Sequence, residues 1–77
     1  MKVIYDNEVD VLYFELGEGT PEGVVEVAEG VNVDTTSDNA IIGIEILHAS
    51  KKINLNTILS YSLEMDKDLA HAALGLP

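Results

Sequence analysis

The sequence predicts an α+β domain: a small antiparallel sheet of about five or six strands in a meander-like order, with one or two short helices, the last at the C-terminus. Three observations carry that expectation. Val and Ile together number 15 against 9 Leu, a bias toward strands. Short apolar runs are separated by polar or Gly-rich turns. Only the stretch after residue 48 carries helix-cap residues at suitable places. At 77 residues, one domain spanning 1–77 fits and two do not.

Lys2–Tyr5 and Val11–Leu16 read as two strands around the polar turn Asp6–Asp10. Pairing Asp6 with Asp10 sets Tyr5 opposite Val11 and Val3 opposite Tyr13. Ile4, Leu12, Phe14 and Leu16 then fill the other face. A strand apolar on both faces needs cover on both. The chain's helix supplies one cover, and a second copy of the protein is expected to supply the other. Val11, Tyr13 and Tyr5 are therefore the expected interface of a homo-oligomer, with a dimer favoured.

Gly17–Pro21 is a loop. Val24–Ala28 is a strand, Glu29-Gly30 a turn, and Val31–Thr36 a strand that alternates cleanly. Ile41–Leu47 follows. A two-residue loop at Asp38-Asn39 pairs Val33 with Ile44 and Asn32 with Glu45, which keeps the apolar positions on one face. A one-residue slip would mix the faces, so this register is expected. Asp and Asn also tolerate the positive φ of such a turn.

Ser50 can cap a short helix from Lys51. Beyond it, Leu55, Ile58, Leu59 and Ser62 fit a helical stripe with Asn54 as cap. Yet Ile53, Leu55, Leu59, Tyr61, Leu63 and Met65 also share a period of two. The reading favoured is a short helix to about Ile58, then a strand over Leu59–Met65. Asp66 caps a last helix whose apolar stripe is Leu69, Ala72 and Ala73.

Composition narrows function by exclusion. A net charge of −10, from 14 acidic residues and 4 Lys, repels phosphate, so the chain alone is not expected to bind nucleic acid or an anionic membrane. The absence of Cys removes disulfides and thiolate chemistry. No apolar run is long enough to span a membrane, and the opening residues do not form a signal-peptide core. A cytoplasmic protein is expected.

Candidate chemistry is sparse. Asp6, Glu8 and Asp10 open like a calcium loop, but Val11 and Gly17 stand where Gly and Glu are required. His48, Glu45 and Ser50 are the residue types of a nucleophilic triad, but His48 and Glu45 point to opposite faces of a strand. Asn32, Asp34 and Glu45 share a sheet face. Asp34 and Glu45 are accordingly the weak candidates for metal, small-ligand or enzymatic work. No cofactor is expected, and an enzyme is the less favoured reading. The acidity suits a basic protein partner instead.

Tyr5-Asp6, Asp10–Tyr13, Gly30-Val31, Val33-Asp34, Gly43–Leu47 and Ala49–Lys51 carry a resemblance over roughly residues 1–52. The chain resembles the domain of unknown function 2283 family of short prokaryotic proteins. That family commonly has Asp-Gly where this chain has Asp38-Asn39, and Asp where His48 stands. The resemblance implies a small antiparallel sheet with a helix and no established activity. Some members resemble one half of a toxin–antitoxin pair. The expected function is thus a homo-oligomeric interaction module, antitoxin-like toward a basic partner in its sharpest form.

Overall fold

The computed structural model describes residues 1–66, 68 and 75. Its order is β1 (Lys2–Asp6), β2 (Val11–Glu15), β3 (Gly23–Ala28), β4 (Val31–Thr35), β5 (Ile41–Leu47), α1 (Ala49–Lys52) and a 3₁₀ segment, Leu55–Ser60. The fold is α+β. One five-stranded antiparallel sheet has the order β1-β2-β5-β4-β3. Sequential hairpins join β1 to β2 and β3 through β5, and β5 docks beside β2.

The first hairpin corrects the expected register by one residue. Asp6 pairs with Val11, so Tyr5 faces Leu12, Ile4 faces Tyr13 and Val3 faces Phe14. Asp10 is unavailable as a ladder partner because it is committed elsewhere. It adopts φ 56°. Its carbonyl accepts from Ala49 N–H at 3.0 Å, and its carboxylate holds Ser50. The slip exchanges the faces. Val3, Tyr5, Leu12 and Phe14 now line one face with Ile44, Ile46, Val31, Val33 and Val25, hereafter the apolar face. Ile4, Val11 and Tyr13 lie on the other, with Glu45, Asn32 and Asp34, hereafter the polar face.

The β4–β5 register is as expected: Val33 pairs with Ile44 and Asn32 with Glu45. The loop that delivers it is longer. Thr36 N–H donates to Ala40 O at 2.9 Å, enclosing Ser37–Asn39, and Asn39 alone adopts a positive φ, 66°. The Thr36 hydroxyl accepts from Ala40 N–H and donates to Asp38. The extra loop residue is compensated by a bulge at Ile42, between the pairs Thr35–Ile41 and Asp34–Gly43. Loop and bulge each shift the pairing by one residue, and the shifts cancel.

Ser50 does not cap α1. The cap position falls to His48 in the left-handed region, φ 52°, with no side-chain bond, and Ser50 lies inside the helix. Asp10 serves the helix start across the fold instead. Asn54 does cap the 3₁₀ segment, accepting from Asn56 N–H at 3.1 Å. The strand expected over Leu59–Met65 does not form: Leu59 and Ser60 continue the 3₁₀ segment, and the stretch joins no ladder among the described residues. Alternation specifies an extended backbone, which Tyr61 has, but a strand also requires a partner edge. The expected C-terminal helix, with Leu69, Ala72 and Ala73, lies outside the described residues. Within them, Asp66 accepts from Asp68 N–H at 3.0 Å.

The cover over the apolar face is partial. Ile53, Ile58 and Tyr61 share an apolar groove with Val3 and Phe14, so α1 and the 3₁₀ segment roof β1 and β2. Leu12, Ile42 and Ala49 are the buried apolar residues among those described. Val31, Val33 and Ile44 are half-buried, as Val3 and Phe14 are, and exposure rises at the β3 edge, where Val25 is 52 % exposed.

Candidate functional site

Two polar clusters stand out, one structural and one on the open polar face. The structural one is built on Asp10. Its Oδ1 accepts from the Tyr5 hydroxyl at 2.7 Å and from Ser50 N–H at 3.0 Å, and its Oδ2 from Ser50 Oγ at 2.7 Å. One carboxylate thus ties the β1–β2 turn to the start of α1. The Tyr5 bond, then the two Ser50 bonds, hold the Asp10 carboxyl below its ordinary value of 3.8. The same Tyr5–Asp10 bond raises the Tyr5 phenol above 10.0.

The pH consequence follows from these directions. Asp10 stabilises the fold fully above its unfolded value of 3.8, and that contribution disappears as pH falls through the lower folded value. Tyr5 and Tyr13, both raised, stabilise fully below 10.0 and lose that contribution as pH rises past it. The expected melting temperature is therefore highest between these limits. Asp10→Asn should flatten the acid side of the curve, as followed by circular dichroism. An unchanged acid limb would refute the role given to Asp10.

The second cluster contains the sequence candidates. Asp34 sits opposite Gly43, and Glu45 lies between Asn32 and Tyr13 in the ladder. All are half-buried except Gly43, which is buried. Tyr13 Oη donates to Asp34 Oδ2 at 2.9 Å, and Asn32 Nδ2 donates to Glu45 Oε1 at 3.2 Å. Each candidate carboxylate thus has its own donor from a neighbouring strand. The Asp34 bond raises the Tyr13 phenol above 10.0, helped by partial burial and by the charges of Asp34, Glu15 and Glu45.

Gly43 makes the Tyr13–Asp34 contact geometrically possible. A Cβ there would lie 2.6 Å from Tyr13 Cζ and 3.1 Å from Cε2, so the ring crosses over the glycine. Neither Tyr13 nor Gly43 was legible as part of this cluster from composition. A lone Gly inside a strand is nevertheless a signal for a bulge or a close approach, and here both occur.

The arrangement presents hydrogen-bond acceptors and negative charge on an open sheet face, with Glu15 and Glu26 on the same side. Among the described residues, no group of three or more His, Asp or Glu could hold a metal ion. The other sequence constellations do not assemble. Ser50 Oγ is bonded to Asp10, not to His48, which is exposed at the turn into α1. Asp6 accepts from Glu8 N–H within its own turn. Of the expected interface residues, Val11 and Tyr13 lie on the polar face. Tyr5 lies on the apolar face, beside Leu55 and Leu59 of the 3₁₀ segment.

No helix among the described residues is long and apolar enough to cross a membrane. No curated protein and no solved structure matches the chain. The family model described as a protein of unknown function (DUF2283) matches residues 2–50. That span takes in all five strands, the Tyr13–Gly43–Asp34 crossing, and Asp10 with its partner Ser50. The match covers well over half of the sequence, and the chain belongs to this family.

Proposed function

We propose that the protein is a homo-oligomeric interaction module whose self-contact uses the apolar face over β3 and β4. The observation that carries this reading is the uncovered apolar surface there: Val25 is 52 % exposed beside half-buried Val33 and Ile44. A sheet needs a second layer on its apolar face, and over β3 Val25 is left more than half exposed. Charge selects the face. Two chains of net charge −10 repel unless they meet where charge is absent. Val25, Val33 and Ile44 form such a surface, whereas Val11 and Tyr13 stand among carboxylates.

Val25→Asp tests the reading, since its side chain is exposed and its replacement costs little burial. Light scattering should give an oligomer for the wild type and a folded monomer for the variant. A wild type that remains monomeric at high concentration would end the proposal.

The polar face favours a second, compatible role. Glu15, Glu26, Asp34 and Glu45 on one side suit a basic protein partner, the antitoxin-like reading. A native pull-down that retains no basic protein would remove it. A metal-binding or catalytic use of Asp34 and Glu45 has weaker support, because each already accepts a hydrogen bond from Tyr13 or Asn32.

A further inference from the structure

We infer that the groove between the β3–β4 turn and α1 binds a small zwitterion, an α-amino acid or short peptide whose free carboxylate meets lysine and whose free ammonium meets glutamate. The groove has a volume of about 610 Å³, inside the range of about 300–1,000 Å³ usual for small-molecule sites. Its charges are segregated by element. Glu26 and Glu29 come from β3 and its turn, while His48, Lys51 and Lys52 come from α1 and the residue before it. Gly30 and Leu47 complete the lining. Two of the four lysines in a chain with 14 acidic residues thus line one groove. Neither forms an ion pair among the described residues, although two carboxylates share the groove with them. Opposite charges held apart on one concave surface are complemented by a ligand that carries both.

Lys52 is the fixed point of the site. Its Nζ donates to Leu47 O at 2.6 Å. It also lies against Gly30, where a Cβ would collide with it. Gly30 has φ 71°, so the turn and the ammonium both call for glycine there. An ammonium has three donors, and the Leu47 carbonyl takes one. The other two are left for an anionic group, and a charge-assisted bond to a carboxylate is the stronger kind. The field of the whole chain narrows the ligand class. A net charge of −10 repels a simple anion, and Glu26 and Glu29 repel it again at close range. A simple cation meets Lys51 and Lys52 in the same groove. A zwitterion carries no net charge, so the local complement decides. The site shares no residue with the self-contact proposed above and does not depend on it.

The test is an NMR titration of the isotope-labelled 77-residue chain with alanine and with alanyl-alanine. The amides of Gly30 and of Leu47–Lys52 should shift and saturate. Whichever probe saturates at the lower concentration identifies the source, free amino acid or peptide. N-acetylalanine keeps only the carboxylate and alaninamide only the ammonium. Each should bind about tenfold more weakly than alanine, the effect of losing one charge-assisted hydrogen bond. Lys52→Met and Glu29→Gln should each weaken the zwitterion by a similar factor. Lys2→Met, on β1 and outside the groove, should bind as the wild type does. Should Lys52→Met lose its fold by circular dichroism, Glu29→Gln carries the test, since it leaves the Lys52–Leu47 bond in place. Shifts that never saturate overturn the site. So do blocked probes that bind as well as alanine, or a Lys2→Met loss equal to that of Lys52→Met.

Discussion

Leu12→Ala is expected to cost about 3–5 kcal/mol, the range for a buried leucine whose site cannot collapse. Leu12 is the one large side chain fully buried among the described residues. It stands in the middle of the covered region, between Tyr5 on β1 and Ile46 on β5. Ala49, also fully buried, begins the helix that crosses this side. A domain of this length has a total stability of about 4–12 kcal/mol. One side chain therefore commands a large share, and the variant should be partly unfolded at room temperature. Urea denaturation at fixed chain concentration measures it, since self-association would otherwise move the midpoint. Leu16→Ala is the control. Leu16 is exposed, and its loss should stay within about 0.5 kcal/mol. A Leu12→Ala midpoint indistinguishable from that control would show that the core is not where the strand register puts it.

The two hairpins show what was legible in the sequence and why. For β4 and β5, polar and apolar positions alternate clearly enough that only one register keeps Val31, Val33, Ile44 and Ile46 together. The pattern held even though the turn was a residue longer, because the bulge at Ile42 restored it. For β1 and β2 both faces are apolar, so a one-residue slip carries no visible penalty in the sequence. What decided that register was Asp10, held by Ser50 forty positions further on. Local pattern cannot report such a partner.

The candidate carboxylates divide in the same way. Asn32 and Glu45 were brought together by a legible hairpin, and they do bond. Tyr13 reached Asp34 only because β5 lies between β2 and β4, a neighbourhood that follows from tertiary topology. The segment after Asn54 is instructive in a third sense. Its cap was readable and is in place, but the alternation misled: Leu59 and Ser60 belong to the 3₁₀ segment, and no ladder forms among the described residues. Periodicity alone does not supply a strand with an edge to pair with.

Gly43→Ala is expected to destabilise the protein by about 1–3 kcal/mol, as overpacking usually does. The sign is not obvious beforehand. Gly43 has no positive φ, and Gly→Ala at a permissive position usually stabilises by about 0.4–1 kcal/mol through the unfolded chain. The steric term should win because the added methyl would meet the Tyr13 ring at Cζ, 2.6 Å away, and at Cε2. The ring is not a flexible end that can swing aside freely. It is held by the hydroxyl bond to Asp34, and moving it leaves that carboxylate without its donor. Two readouts separate this account from a general loss of stability. In a Tyr13→Ala background the cost of Gly43→Ala should vanish or reverse, a coupling that a double-mutant cycle measures. In the single variant, the Tyr13 phenol should titrate closer to its ordinary 10.0, because the Asp34 bond is the largest cause of its rise. Equal costs in both backgrounds, with Tyr13 titration unchanged, would mean that the ring does not cross Gly43. Asp34 would then lack the donor that the strand order gives it, while Glu45 would keep its bond from Asn32.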